Sequence, residues 1–206
     1  MDVYLEIGSK RVFAGAIDWP GYSRSGKSED EALDALLSYG ARYTAAVKGF
    51  ARPKSLDVVE RIKGNATTDF GAPSMTPKAD EREVDKKDLK RLTKILRASW
   101  DYFDVTAKKH ARKTLKKGPR GGGRDVPKMI DHVMGADRAY LSGLGGTLPK
   151  GDDLRETIVE TLRKRVEGED LPPTRRRKPL WTPRFAVRRS AWHALDHAWE
   201  IEDRAG

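Results

Sequence analysis

The sequence predicts an α+β protein: a small N-terminal αβ module (hairpin, helix, extra strand) over residues 1–63 and an up-and-down-like four-helix bundle over 87–206, joined by a linker at 64–86. Three observations predict it. The first 18 residues alternate apolar and polar with period two, as a half-buried strand pair does. The period becomes helical from Lys87 onward and recurs in four separate amphipathic runs. Residues 63–83 between these regimes are rich in Gly, Pro, Ser and Thr.

Val3 and Leu5 point one way, and Tyr4 and Glu6 the other. Gly8-Ser9-Lys10 turns the chain into a second run from Arg11 to Ile17, giving a β-hairpin. Pro20-Gly21 ends it, with a short strand or loop over Tyr22–Gly26. Ser28 and Glu31 form a capping box, and the helix behind it is expected to run from about Glu29 to Val47, with Leu33, Leu36, Leu37, Gly40, Tyr43 and Val47 at helical spacing. Val58, Val59 and Ile62 mark one more strand over Asp57–Ile62, and 63–83 reads as loop.

The first long helix carries Leu89, Leu92, Leu96, Trp100 and Phe103 on one stripe and runs into the basic stretch Lys108–Lys117, then a flexible Gly-rich loop. That loop lacks the Lys-Ser/Thr ending of a phosphate loop and follows no strand, so it does not point to nucleotide binding. Asp125 caps the second helix, with Pro127 in its first turn. Met129, Val133, Ala136 and Tyr140 form its stripe, and His132 sits beside them; an imidazole aimed at a core needs partners for its nitrogens. Asp152 or Asp153 caps the third helix, where Leu154, Ile158, Leu162 and Val166 repeat every four residues. Leu171-Pro172-Pro173 and the basic loop Thr174–Pro179 precede the fourth, which starts near Thr182-Pro183.

The fourth helix holds His193 and His197, two of the four histidines. Residues i and i+4 lie on one face a turn apart, so both rings can reach one divalent ion. On a helical wheel, His197 lies about 80° and His193 about 120° from the centre of the apolar arc, which places them at the edge of the core. Glu200 shares their face, where it can orient an imidazole or act as a base, although a solvated charge or a partner for a nearby Arg is the plainer role. His110, within the basic run, is expected to be exposed. Asp131 and Asp196 point to other faces, Asp137 is expected to pair with Arg138 or with arginines of the fourth helix, and the tryptophans are read as core.

Composition sets the outer bounds. The 206 residues carry a formal charge of +10 and no cysteine. The absence of cysteine excludes disulfides, thiolate catalysis and Cys-based zinc sites. There is no 18-residue apolar run and no signal-peptide pattern, so a cytoplasmic protein with no membrane partner is expected. The basic runs Lys108–Arg124 and Arg175–Lys178 can neutralise phosphates, but they carry no aromatic interleaving and no recognition-helix pattern, so nucleic acid is not the favoured partner. A homo-oligomer stays open.

Trp19-Pro20-Gly21, Ser25-Gly26 and the helix start Ser28–Leu37 give the first 50 residues a resemblance to the HicB-like αβ module, which serves as an antitoxin or adaptor. His132 in Asp131-His132-Val133-Met134-Gly135-Ala136-Asp137-Arg138-Ala139-Tyr140-Leu141, together with the His193/His197 pair flanked by Trp192, Trp199 and Glu200, makes residues 87–204 similar to the DinB-like family of metal-binding bundles. That resemblance implies a divalent metal, zinc or nickel, held by His132, His193 and His197 with an open coordination position. It also implies a metal-dependent thiol S-transferase or hydrolase acting on a small molecule or a low-molecular-weight thiol. The alternative function is a non-enzymatic binding or regulatory protein, either a HicB-like adaptor or a basic-loop nucleic-acid binder.

Overall fold

In the computed structural model, which describes residues 1–118, 123–172 and 178–206, the chain builds one four-stranded sheet and seven α-helices. Most of the expected Gly-rich loop (118–123) and of the expected basic loop (174–179) lies outside the described residues. Strands β1 (Asp2–Ile7), β2 (Val12–Ala16), β3 (Ser23–Gly26) and β4 (Asp57–Lys63) lie in the order β3-β2-β1-β4. The β1–β2 and β2–β3 pairs are antiparallel, while β1–β4 is parallel, with its register shifting between Val3 and Tyr4. The Trp19-Pro20-Gly21 corner is a tight turn closed by Tyr22 N–H donating to Trp19 O at 3.0 Å, with Gly21 at φ +90°.

The helix expected over 29–47 is two helices, α1 (Glu29–Ser38) and α2 (Gly40–Ala46). Periodicity ran straight through the break because apolar residues continue on both sides of it. The break falls where a glycine follows Tyr39. There Tyr39 meets Trp199 edge-on with ring centroids 5.1 Å apart, while the Tyr43 hydroxyl donates to Pro20 O at 2.7 Å. The two rings are thus anchored to different parts of the fold, and glycine is poor at holding a helix straight.

The stretch expected as loop also contains structure: α3 (Ala66–Phe70) and a 3-10 turn (Lys78–Glu81). Asn65 opens α3 with a reciprocal capping box to Thr68, but five residues are too few for a periodic signal. This stretch is tied to the body throughout. Buried Glu6 accepts hydrogen bonds from Thr68 Oγ1 (2.5 Å), Ser74 N (3.0 Å) and Met75 N (3.1 Å). Buried Asp80 takes a bidentate pair from Arg188, Nε and Nη2 each at 2.7 Å.

The long helices are α4 (Lys86–His110), α5 (Val126–Gly143), α6 (Leu154–Glu167) and α7 (Pro183–Ala205), with boundaries close to those expected. Asp85, Asp125, Asp153 and Thr182 cap their first turns through the side chain, each satisfying a backbone N–H that a helix start leaves free. All four helices contribute to one core, in which Leu96, Trp100 and Phe103 meet Met129, Val133, Ile158, Leu162, Ala191 and Ala198. A second core joins Val3, Leu5, Ala14, Leu36 and Tyr43 to Ile95 of α4 and to Leu195 and Trp199 of α7.

Helix α7 therefore belongs to both cores, and 16 of its 23 residues are buried. Sheet and helices enclose it on nearly every side. Tyr4 and Phe13, on the opposite strand face from Val3 and Leu5, meet Arg188 (guanidinium 5.3 Å from the Tyr4 ring) and Trp192 (ring centroids 6.0 Å apart). None of the described helices is long and apolar enough to cross a membrane.

Candidate metal centre

His132 lies two turns into α5, and His193 and His197 lie one turn apart on α7. The Asp125 cap, whose carboxylate accepts from Lys128 N at 2.9 Å, fixes the first turn of α5. Packing on both cores fixes α7. The result brings the three rings together. His193 Nε2 is 3.2 Å from His132 Nε2 and 3.2 Å from His197 Nε2, and all three nitrogens lie within 4.8 Å of one another. His193 and His197 are 6% and 9% exposed, and His132 is half-buried. The wheel reading put the pair at the edge of the core. They are instead inside, with His132 and Tyr140 of α5 against them and Trp192 beside His193.

Proton accounting at the cluster favours a cation. Glu200 Oε2 accepts from His197 Nδ1 at 2.9 Å. That bond puts the His197 proton on Nδ1 and leaves Nε2 as a bare lone pair. A hydrogen bond between His193 and His197 then requires the His193 proton on Nε2, and a His193 Nε2 that carries a proton has no lone pair for His132. No assignment of one proton per neutral ring gives both 3.2 Å contacts a hydrogen of their own. A divalent ion takes up all three lone pairs at once. Nitrogens 3.2 Å apart are close enough that each pair could share one ion about 2.0–2.1 Å from both. The three histidines are thus close enough to bind a metal, and their donors suit one.

The electrostatics agree. Burial lowers the His193 pKa to about 2, helped by His197, His132, Arg189 and Arg124. Burial also lowers that of His132, again with His197 and Arg124. Both rings therefore stay neutral and available as ligands. Burial pushes Glu200 upward, but hydrogen bonds from His197 and from Arg204 Nη1 (2.7 Å) outweigh it and hold the carboxyl below its ordinary range. Glu200 is both the arginine partner that its plainer role implied and the group that orients His197.

Other expectations need correction. His110 is buried, 8% exposed, with Nδ1 2.9 Å from Thr106 O; the basic run turns inward there because the end of α4 still packs on the core. Asp137 accepts from Ser190 Oγ at 2.7 Å and lies 3.7 Å from Arg155, so its partners come from α6 and α7 rather than from Arg138. Asp196 faces away from the cluster, as expected, and pairs with Arg24 at 2.7 Å. Trp100, Trp192 and Trp199 are core residues, as expected. A cleft of about 300 Å³ on the sheet side of α7 is lined by Arg11, Arg24, Trp192 and Glu200, but by none of the three histidines.

Sequence reading missed the wall around the cluster. The Tyr140 ring lies 5.9 Å from that of His193 and the Trp192 ring 6.1 Å. The Arg189 guanidinium stacks over both, 4.9 Å from Trp192 and 5.8 Å from Tyr140. Its signal was present in the sequence, since Arg189 precedes His193 by four residues and shares its face. No family model matches the chain, and neither a curated protein nor a solved structure matches it at a significant level.

Proposed function

We propose that the chain is a divalent-metal protein of the DinB-like four-helix-bundle kind, in which His132, His193 and His197 hold zinc or nickel for a thiol-transfer or hydrolytic reaction on a small molecule. The observation that carries this reading is the convergence of three Nε2 atoms whose two 3.2 Å contacts cannot each have a hydrogen of their own while the rings are neutral. The bundle reading draws support from the core shared by α4–α7.

Three protein ligands leave a coordination place for water or substrate, and a metal held this way acidifies a bound water or thiol. The remaining work falls to the chain's own side chains. Glu200 holds the His197 ring in one tautomer and one orientation through Nδ1. Arg204, itself donating from Nε to Lys116 O at 2.8 Å, keeps Glu200 charged and in place. Tyr140 and Trp192 exclude water from one side of His193.

Elemental analysis of purified protein offered Zn²⁺ or Ni²⁺ tests the reading. Close to one ion per chain is expected for the wild type, with loss in His193→Ala. Equal metal content in the two proteins would overturn it. Unfolding adds a second measure: an ion at 100 times its Kd stabilises the folded chain by about 2.7 kcal/mol, and His193→Ala should lose that gain.

A further inference from the structure

We propose that the open side of the histidine cluster receives a small carboxylate-bearing molecule, with Arg189 as the residue that recognises its carboxylate. This inference rests on the metal reading above and names the substrate class of the same site.

Arg189, His193 and His197 occupy successive turns of one face of α7, and His132, Ala136 and Tyr140 occupy successive turns of α5. Rings stand at both ends of the α5 row, His132 and Tyr140, and only the methyl group of Ala136 stands between them. Arg189 is half-buried, one turn before His193. Its Nη1 donates to Pro73 O at 2.7 Å, and its plane lies against Trp192 and Tyr140. The Nε and Nη2 edge has no protein partner among the described residues, and no carboxylate pairs with this guanidinium there. That edge offers two parallel N–H groups, the geometry that a planar carboxylate accepts.

Charge balance points the same way. Imidazole ligands are neutral when bound to a metal, so a divalent ion and Arg189 together form a half-buried positive centre. The nearest carboxylate, Glu200, is already matched by Arg204. An anion held by Arg189 beside the ion would supply the missing charge. The flat Tyr140 and Trp192 walls suit an apolar or aromatic body on that anion.

Cobalt-loaded protein provides the test, because the visible bands of Co²⁺ report its ligands without requiring turnover. Titration with acetate or benzoate should shift the bands saturably, and more tightly than inorganic phosphate. In Arg189→Met the carboxylate Kd should rise at least tenfold, about the loss of one charged hydrogen-bond pair, while the spectrum without anion stays that of the wild type. Arg189→Lys should fall between, keeping the charge and losing the fork. Circular dichroism checks that both variants fold. An unchanged Kd in Arg189→Met with cobalt bound, or a preference for phosphate, overturns the carboxylate assignment alone. Failure of the wild type to bind cobalt overturns the metal reading and this inference together.

Discussion

Glu200 Oε2 accepts a hydrogen bond from His197 Nδ1 at 2.9 Å, one turn along α7, and its other oxygen accepts from Arg204 at 2.7 Å. One carboxylate therefore sets the tautomer of a candidate ligand and locks the end of the helix. Groups that orient a ligand histidine typically contribute 10–100-fold to metal affinity. Glu200→Ala should weaken Zn²⁺ binding by about that range in a chelator competition, with Glu200→Gln losing less because it still accepts from Nδ1. Equal affinity in Glu200→Ala and the wild type would remove Glu200 from the site.

Asp137 gives a pH dependence. Burial raises its pKa to about 6, against the hydrogen bond from Ser190 and the charge of Arg155 that lower it. A folded pKa above the unfolded one makes the contribution fully present below about pH 4 and lost as pH rises through 6. Ionising this group in the folded state costs about 3 kcal/mol at pH 7 by the size of the shift. In Asp137→Asn that loss is absent. The stability of Asp137→Asn relative to wild type, from urea melts at pH 4.5 and pH 7.5, should therefore rise with pH; a flat difference would refute the assignment.

Asp80 and Arg188 form a buried bidentate pair, and Arg188 also donates to Ala16 O (2.5 Å) and Ile17 O (2.7 Å). The pair fastens the 3-10 turn and the end of β2 to α7. Asp80→Ala should cost about 3–5 kcal/mol, because it strands a buried guanidinium. Asp80→Leu combined with Arg188→Met should recover much of that loss in the same denaturation experiment, since no charge is then left unpaired.

Gly21 packs against α7 in the left-handed region, φ +90°, and a Cβ there would stand 3.1 Å from Ala191 Cβ and Leu195 Cδ1. Gly21→Ala should destabilise by about 2 kcal/mol, from backbone strain and crowding together. Because the turn presses on the helix carrying His193 and His197, metal affinity measured alongside stability should fall as well.

Much of this molecule could be read from local pattern. Period-two alternation placed β1 and β2, apolar stripes placed α4–α7, and the Asp125 cap, the Asp152/Asp153 cap and the early proline at Thr182-Pro183 marked helix starts. The histidine spacing on α7 and the position of His132 on its stripe were enough to nominate the site. Elements whose signal is short or compensated were not legible: α3 is five residues long, and the α1/α2 break lies inside an unbroken apolar pattern.

The sequence by itself determined the α+β class, the long helices and the three candidate ligands, because these depend on interactions within a few residues of each other. Only the tertiary structure decided that α7 lies between two cores and that α5 covers its histidines. It alone brought His132 to 3.2 Å from His193 across 61 positions, and it alone placed Arg189 between Trp192 and Tyr140. Those relations depend on which faces of separate elements meet, and helical or strand periodicity carries no information about the partner across a core.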